Sequence, residues 1–169
     1  MNDLTECDAL HLRRAIALAQ AAVDRGNRPF GAVIVDKHGK TVAEAFSSQQ
    51  ADRDWTAHAE MNALRAAGKI LSWEDLEHCT IFASGDPCPM CAGGIYWSNL
   101  RRVVFGVDEK TMRPLRRDNP QGAGLLMSCR EVLNRAQHRI EVLGPALVAE
   151  AIEPHRAFWK PSLSKEGWV

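Results

Sequence analysis

Two short segments carry side chains suited to chemistry: His58-Ala59-Glu60 and Pro87-Cys88-Pro89-Met90-Cys91. Each alone is a common accident of composition. Both together, in this order and with a proline before the first cysteine, are not. Cysteines three apart on a helix share one face, and in the first turn the helix dipole and free backbone N–H groups favour thiolates. His58 adds a neutral imidazole. The set predicts a zinc ion held by His58, Cys88 and Cys91, with the fourth tetrahedral position left to water, as in catalytic rather than structural zinc sites. Two thiolates cancel the charge of Zn²⁺, so the metal acidifies its water less than an all-histidine site would, and a nearby general base gains value. Glu60 is placed for that role. The competing readings of the cysteine pair are a redox dithiol and a structural zinc knuckle; a second C-x-x-C is absent.

These residues need elements to hold them. Leu12, Ile16, Ala19 and Val23 recur at helical spacing, so about residues 5–25 read as an amphipathic helix. Runs over 30–36 and 41–46 read as a β-hairpin. A helix is expected over 57–71, carrying His58 and Glu60, and a strand over 79–83. Asp86 as N-cap and Pro87 at the first helical position would start the next helix, which runs through Tyr96 and carries the cysteines. Beyond it come a strand over 103–107, a long loop from Lys110 to Gly124, a helix over 125–136, a strand over 140–143 and a last helix over 145–159. Alternating helices and strands call for right-handed crossovers and a largely parallel sheet, the first hairpin supplying an antiparallel pair. The expected architecture is α/β, a three-layer α/β/α sandwich.

With 169 residues, 46% hydrophobic and 25% charged, the whole chain, 1–169, is expected to be a single compact domain. No apolar run approaches the roughly 18 residues of a membrane span, and the acidic N-terminus (Asp3, Glu6, Asp8) is unlike a signal peptide. A cytoplasmic location is expected. Cys7, Cys79 and Cys129 make the cysteine count odd, which suits a reducing compartment, and they read as buried hydrophobes or incidental thiols. Twenty-one Lys+Arg balance 21 Asp+Glu, so the chain lacks the broad positive field that drives non-specific nucleic-acid binding.

H-x-E followed by P-C-x-x-C is the signature of the zinc deaminases, whose Glu moves protons and is not a ligand. Together with Pro29-Phe30-Gly31-Ala32-Val33, Thr56-Ala57 before His58, and Gly93-Gly94-Ile95-Tyr96-Trp97 after the cysteines, it makes the chain resemble the cytidine-deaminase-like enzymes. The likeness is to the branch of guanine deaminases and tRNA adenosine deaminases. The resemblance implies a central mixed five-stranded sheet between helices, a homodimer and hydrolytic loss of an exocyclic amine. Activated water attacks the amine-bearing ring carbon while Glu60 carries its proton to the adjacent ring nitrogen and then to the leaving group. Ser47 stands where this branch usually carries an Asn that binds the base, and a hydroxyl has a shorter reach and no paired donor and acceptor. Trp55 is expected as a stacking wall, with Phe30, Ala59 and Trp97 lining the pocket. Asp108 and Glu109 lie near the acidic position of guanine deaminases. Phe158, Trp159 and Trp168 suggest a tail, 160–169, that closes over a small substrate.

The implied substrate is a small amino-heterocycle, a free base or nucleoside, guanine-like purines first and cytosine-type pyrimidines next. The alternative is a tRNA adenosine deaminase with Arg101, Arg102, Arg113, Arg116 and Arg117 as a basic rim. Against it, the Arg116-Arg117 pair reads as a solvated face, and the segment 161–169 has Lys165 as its one cation. A catalytically silent zinc-bound scaffold is the reading from another class, and an intact Glu60 argues against it.

Overall fold

The computed structural model describes residues 4–116 and 124–159. Helix α1 (Glu6–Asp24) opens with a reciprocal cap, the Thr5 hydroxyl accepting from the Asp8 N–H and the Asp8 carboxylate from the Thr5 N–H. It buries Leu12, Ala15, Leu18, Ala19 and Ala22; of the residues whose spacing predicts the helix, Leu12 and Ala19 lie on this stripe while Ile16 and Val23 flank it half-buried. Strands β1 (Gly31–Val35) and β2 (Thr41–Phe46) form the hairpin. After α2 (Gln49–Asp52) come α3 (Ala59–Ala67), α4 (Trp73–Leu76), β3 (Thr80–Gly85), α5 (Pro89–Trp97) and β4 (Arg102–Val107). The remainder is α6 (Glu109–Arg116), α7 (Cys129–Leu133), β5 (Glu141–Leu143), α8 (Val148–Ala151) and α9 (Glu153–Phe158).

The five strands form one mixed sheet in the order β2-β1-β3-β4-β5. It is less parallel than expected: β1 pairs antiparallel with β3 as well as with β2, while β3/β4 and β4/β5 are parallel. Alternation along the strands feeds two cores. Ala32, Ile34, Ile81, Ala83, Val103 and Phe105 meet α3, α5 and α7 on one face. Val33, Val35, Phe82 and Val104 meet α1 on the other. The helix α1 sits very close to β1, because a Cβ at Gly31 would lie 2.2 Å from the Ala15 carbonyl oxygen. Arg102 ties three elements together at the start of β4, donating to Asp8 at 2.7 and 3.0 Å and to Glu141 at 3.0 Å.

Three expectations change. The stretch from Lys110 is helical through Arg116, accommodating Pro114, where a loop was expected; residues 117–123 of that stretch lie outside the described residues. The helix expected over 125–136 is only the five residues of α7, started by a Ser128–Glu131 capping box and ended at Asn134. The single last helix is two, since Pro154 near the start of α9 has no N–H to continue the ladder of α8.

Candidate active site

Helices α3 and α5 point their N-termini at one spot. His58 is the N-cap of α3 and Cys88 of α5, and neither side chain caps its own helix, so both stay available. The α5 helix thus starts two residues later than Asp86 and Pro87 suggested, with Pro89 as its first residue. A Cβ at Gly94 would lie 2.7 Å from Met61 Sδ, so this glycine permits the close α3–α5 approach that sets the spacing. Asn62 pins α3 to the end of β2 by donating to the Phe46 carbonyl at 3.1 Å and the Ser48 hydroxyl at 3.0 Å.

The two N-termini bring three donor atoms into a near-equilateral triangle. His58 Nδ1 lies 3.6 Å from Cys88 Sγ and 3.5 Å from Cys91 Sγ, and the sulfurs are 3.7 Å apart. Tetrahedral zinc with bonds of about 2.0–2.3 Å needs donor separations of roughly 3.3–3.8 Å. The triangle fits that edge length, and both thiols are free. Among the described residues, this is the cluster of His, Cys and acidic side chains able to hold a metal. Glu60, 4% exposed, sits beside it with Oε2 3.5 Å from Cys91 Sγ. The electrostatics favour metal-ready ligands. The Cys88 thiol is held down to about 4, first by the hydrogen bond from the Cys91 thiol and then by His58, against the cost of burial. Cys91 is pushed up because it donates that bond and is buried. Burial would lower His58, but Cys88 and the Glu60 charge outweigh it and hold the imidazole above its ordinary value. Burial raises Glu60, with the nearby His58 opposing. A carboxyl in so dry a place can hold a proton as well as release one.

His58, Cys88 and Glu60 line a cavity of about 100 Å³, with Cys91 fully buried behind them. Its wall includes Phe30, Gln49, Asp86, Glu109, Met112 and Arg116. Of the residues that the resemblance offered as substrate contacts, Phe30 and Glu109 reach this wall. Asp108 caps α6 by accepting from the Thr111 N–H at 2.8 Å and lines a neighbouring cleft. Ser47 is fully buried behind Gln49, and Ala59 is buried in the core between α3 and the sheet. Trp55 is 67% exposed and Trp97 77% exposed, and neither ring lines the cavity. Trp159 is buried, giving its indole N–H to His155 Nδ1 at 3.4 Å, while His155 stands edge-on to Phe30. The proposed closing tail, 160–169, lies outside the described residues.

Sequence reasoning missed Arg28, Gln49 and Met112, and took Arg116 for a solvated or rim residue. Arg116 is 8% exposed, ion-paired to Glu109 in the cavity wall. No local pattern marks Gln49, which enters the site only because the fold places the start of α2 in the same wall as His58. The redox reading of the cysteines has no disulfide to support it, and a third ligand beside them favours metal.

The family model for the cytidine and deoxycytidylate deaminase zinc-binding region matches residues 5–107. A curated "Probable cytosine deaminase" of Schizosaccharomyces pombe is 40% identical over 158 residues, 93% of this chain and 95% of its own. A guanine deaminase of Bacillus subtilis is 43% identical over 98 residues, 57% of this chain and 62% of its own. A solved tRNA:A34 deaminase superposes with a TM-score of 0.72 at 25% identity, covering 86% of this chain and 99% of its own. The mixed sheet with its flanking helices is the cytidine-deaminase-like fold. No helix among the described residues is long and apolar enough to cross a membrane. With the family motif, the fold and a zinc-sized donor triangle in agreement, the chain belongs to the cytidine and deoxycytidylate deaminase family of zinc-dependent hydrolases that act on C–N bonds.

Proposed function

We propose that this deaminase acts on a free nucleobase, cytosine-type pyrimidines first and guanine-like purines second. The observation that carries the reading is a dry carboxyl, Glu60, beside the His58–Cys88–Cys91 triangle and in the lining of a small cavity. The order of substrates follows the S. pombe relative, which matches this chain along nearly all of both lengths. Guanine keeps second place through the B. subtilis relative, which matches over a shorter span.

His58, Cys88 and Cys91 are the residues that would hold zinc. Bound there, zinc supplies a Lewis acid that makes water a nucleophile at neutral pH. Glu60 would take one proton from water and give it to the ring nitrogen next to the amine-bearing carbon as oxygen adds there, then take the second from the added hydroxyl as the carbonyl forms and give it to the departing amine. The net change is replacement of C–NH₂ by C=O, with water consumed and ammonia released. Phe30 and Met112 give the ring an apolar flank, and the Glu109–Arg116 pair borders the wall. The chain would act as one deaminase unit in the cytoplasm, as a homodimer.

Ammonia release from cytosine, guanine, adenine, their nucleosides and amino-triazines, with Glu60→Ala as the blank, tests the reading. Turnover of one base class that vanishes in the variant supports it. No turnover of any of them by zinc-loaded protein, together with tRNA binding that weakens steeply with salt, would replace it with tRNA editing.

A further inference from the structure

Gln49, the first residue of α2, is 4% exposed in the cavity wall. Its amide is held at both ends. The Ser47 hydroxyl donates to Oε1 at 3.3 Å, and Nε2 donates to the Trp55 carbonyl at 3.2 Å. That carbonyl can only accept, so it dictates which end of the amide is nitrogen. Ser47 is itself fully buried, and its N–H donates to the Phe30 carbonyl at 2.9 Å. A primary amide offers two N–H donors and two acceptor lone pairs. These two contacts use one of each, which leaves a donor and an acceptor side by side in a cavity whose other polar wall groups are largely charged. A buried amide with half its capacity unmet is costly unless a ligand or water completes it.

We propose that Gln49 reads a lactam edge of the substrate, a ring N–H beside a ring carbonyl, and thereby restricts the site to free bases over nucleosides. The inference rests on the nucleobase reading above and deepens it. A lactam presents a donor next to an acceptor, the complement of a carboxamide. In cytosine that edge is N1–H with the C2 carbonyl, across the ring from the amine on C4. In cytidine N1 carries the sugar. The donor is gone, the Gln49 oxygen is left unmatched, and a bulky group faces the wall. Sites built to hydrogen-bond one group discriminate strongly against analogues that lack it. Ser47 and the Trp55 backbone act through Gln49 as positioning groups, and this gives Ser47 a role that its short hydroxyl could not fill by direct contact.

The test compares zinc-loaded wild type with Gln49→Leu, Gln49→Glu, Ser47→Ala and Ser47→Thr. Zinc content is measured for each, as is calorimetric binding of 2-hydroxypyrimidine, which has the lactam but no amine to lose. The expected kcat/KM for cytosine exceeds that for cytidine by about 10³-fold or more. Gln49→Leu and Gln49→Glu lower cytosine kcat/KM and 2-hydroxypyrimidine affinity by about 10²-fold with zinc content unchanged. Ser47→Ala raises KM severalfold at unchanged kcat, and Ser47→Thr restores it. Binding of 2-hydroxypyrimidine within twofold of wild type in a zinc-replete Gln49 variant overturns the proposal, as does its failure to bind wild type. If Gln49→Leu does not hold zinc, Gln49→Glu, of nearly the same shape, decides. Absence of turnover on every base sinks the broader reading instead, and the binding comparison still judges Gln49.

Discussion

Glu60 Oε2 and Cys91 Sγ stand 3.5 Å apart, which places a buried carboxyl against the metal-sized triangle without making it one of the triangle's corners. The relationship separates holding a metal from moving a proton. Glu60→Ala should therefore retain stoichiometric zinc while kcat falls by about 10²–10⁴-fold, the usual worth of a positioned acid–base group. Metal analysis beside steady-state kinetics checks it, and near-normal kcat in that variant would remove Glu60 from the mechanism.

His58→Ala and Cys88→Ala should behave oppositely. Each removes a corner of the triangle, so zinc is lost and thermal stability falls with it, because metal binding to a preformed site is linked to folding. A chelator should lower the melting temperature of the wild type and leave that of the variants unchanged. The protonated imidazole competes with metal, and His58 is held above its ordinary value. Zinc occupancy at limiting metal should therefore drop as pH falls through the His58 titration and recover as pH rises.

At the opposite end of the sheet, Asp8 links α1 to Arg102 on β4. Burial alone would raise its carboxyl, but hydrogen bonds from Arg102 and Thr5 hold it down to about 2 from 3.8. A depressed carboxyl contributes stability that is complete above its unfolded value and is lost as pH falls through the folded one. Asp8→Asn should cost about 2 kcal/mol near neutrality and nearly nothing once the pH is well below ~2. Thermal unfolding across pH reads the difference, and a cost independent of pH would contradict it.

Trp55 meets the site through its backbone. Its carbonyl accepts from Gln49, while its ring is mostly in solvent. Trp55→Ala should leave kcat/KM within about twofold, as expected of a surface side chain. Phe30→Ala, which removes a ring from the cavity wall, should raise KM by about tenfold or more. Equal losses in the two variants would restore the stacking role of Trp55.

Much was legible in the chain before any contact was known. The α1 stripe, the hairpin, the β3 and β4 runs and the two motifs at His58 and Cys88 are all local patterns. Hydrophobic period, caps and ligand spacing act within a few residues, so these signals survive without tertiary context. The limits of α7 and the break at Pro154 were misjudged because a short helix obeys its caps and its proline more than its apolar residues. The antiparallel β1/β3 pairing follows from where the chain crosses the sheet, and no residue spells that out.

Chemistry-bearing residue types and their spacing marked three zinc ligands and a nearby base by themselves, and the reaction class came with the family resemblance that those motifs carry. Tertiary structure alone decided which groups line the cavity. Pocket walls are assembled from segments far apart in sequence, here Phe30, Gln49, Met112 and Arg116, whose side chains converge through packing. Along one short stretch of chain Ser47 goes to the core, Gln49 to the cavity wall and the Trp55 ring to solvent. Specificity therefore lies in contacts that no local pattern encodes.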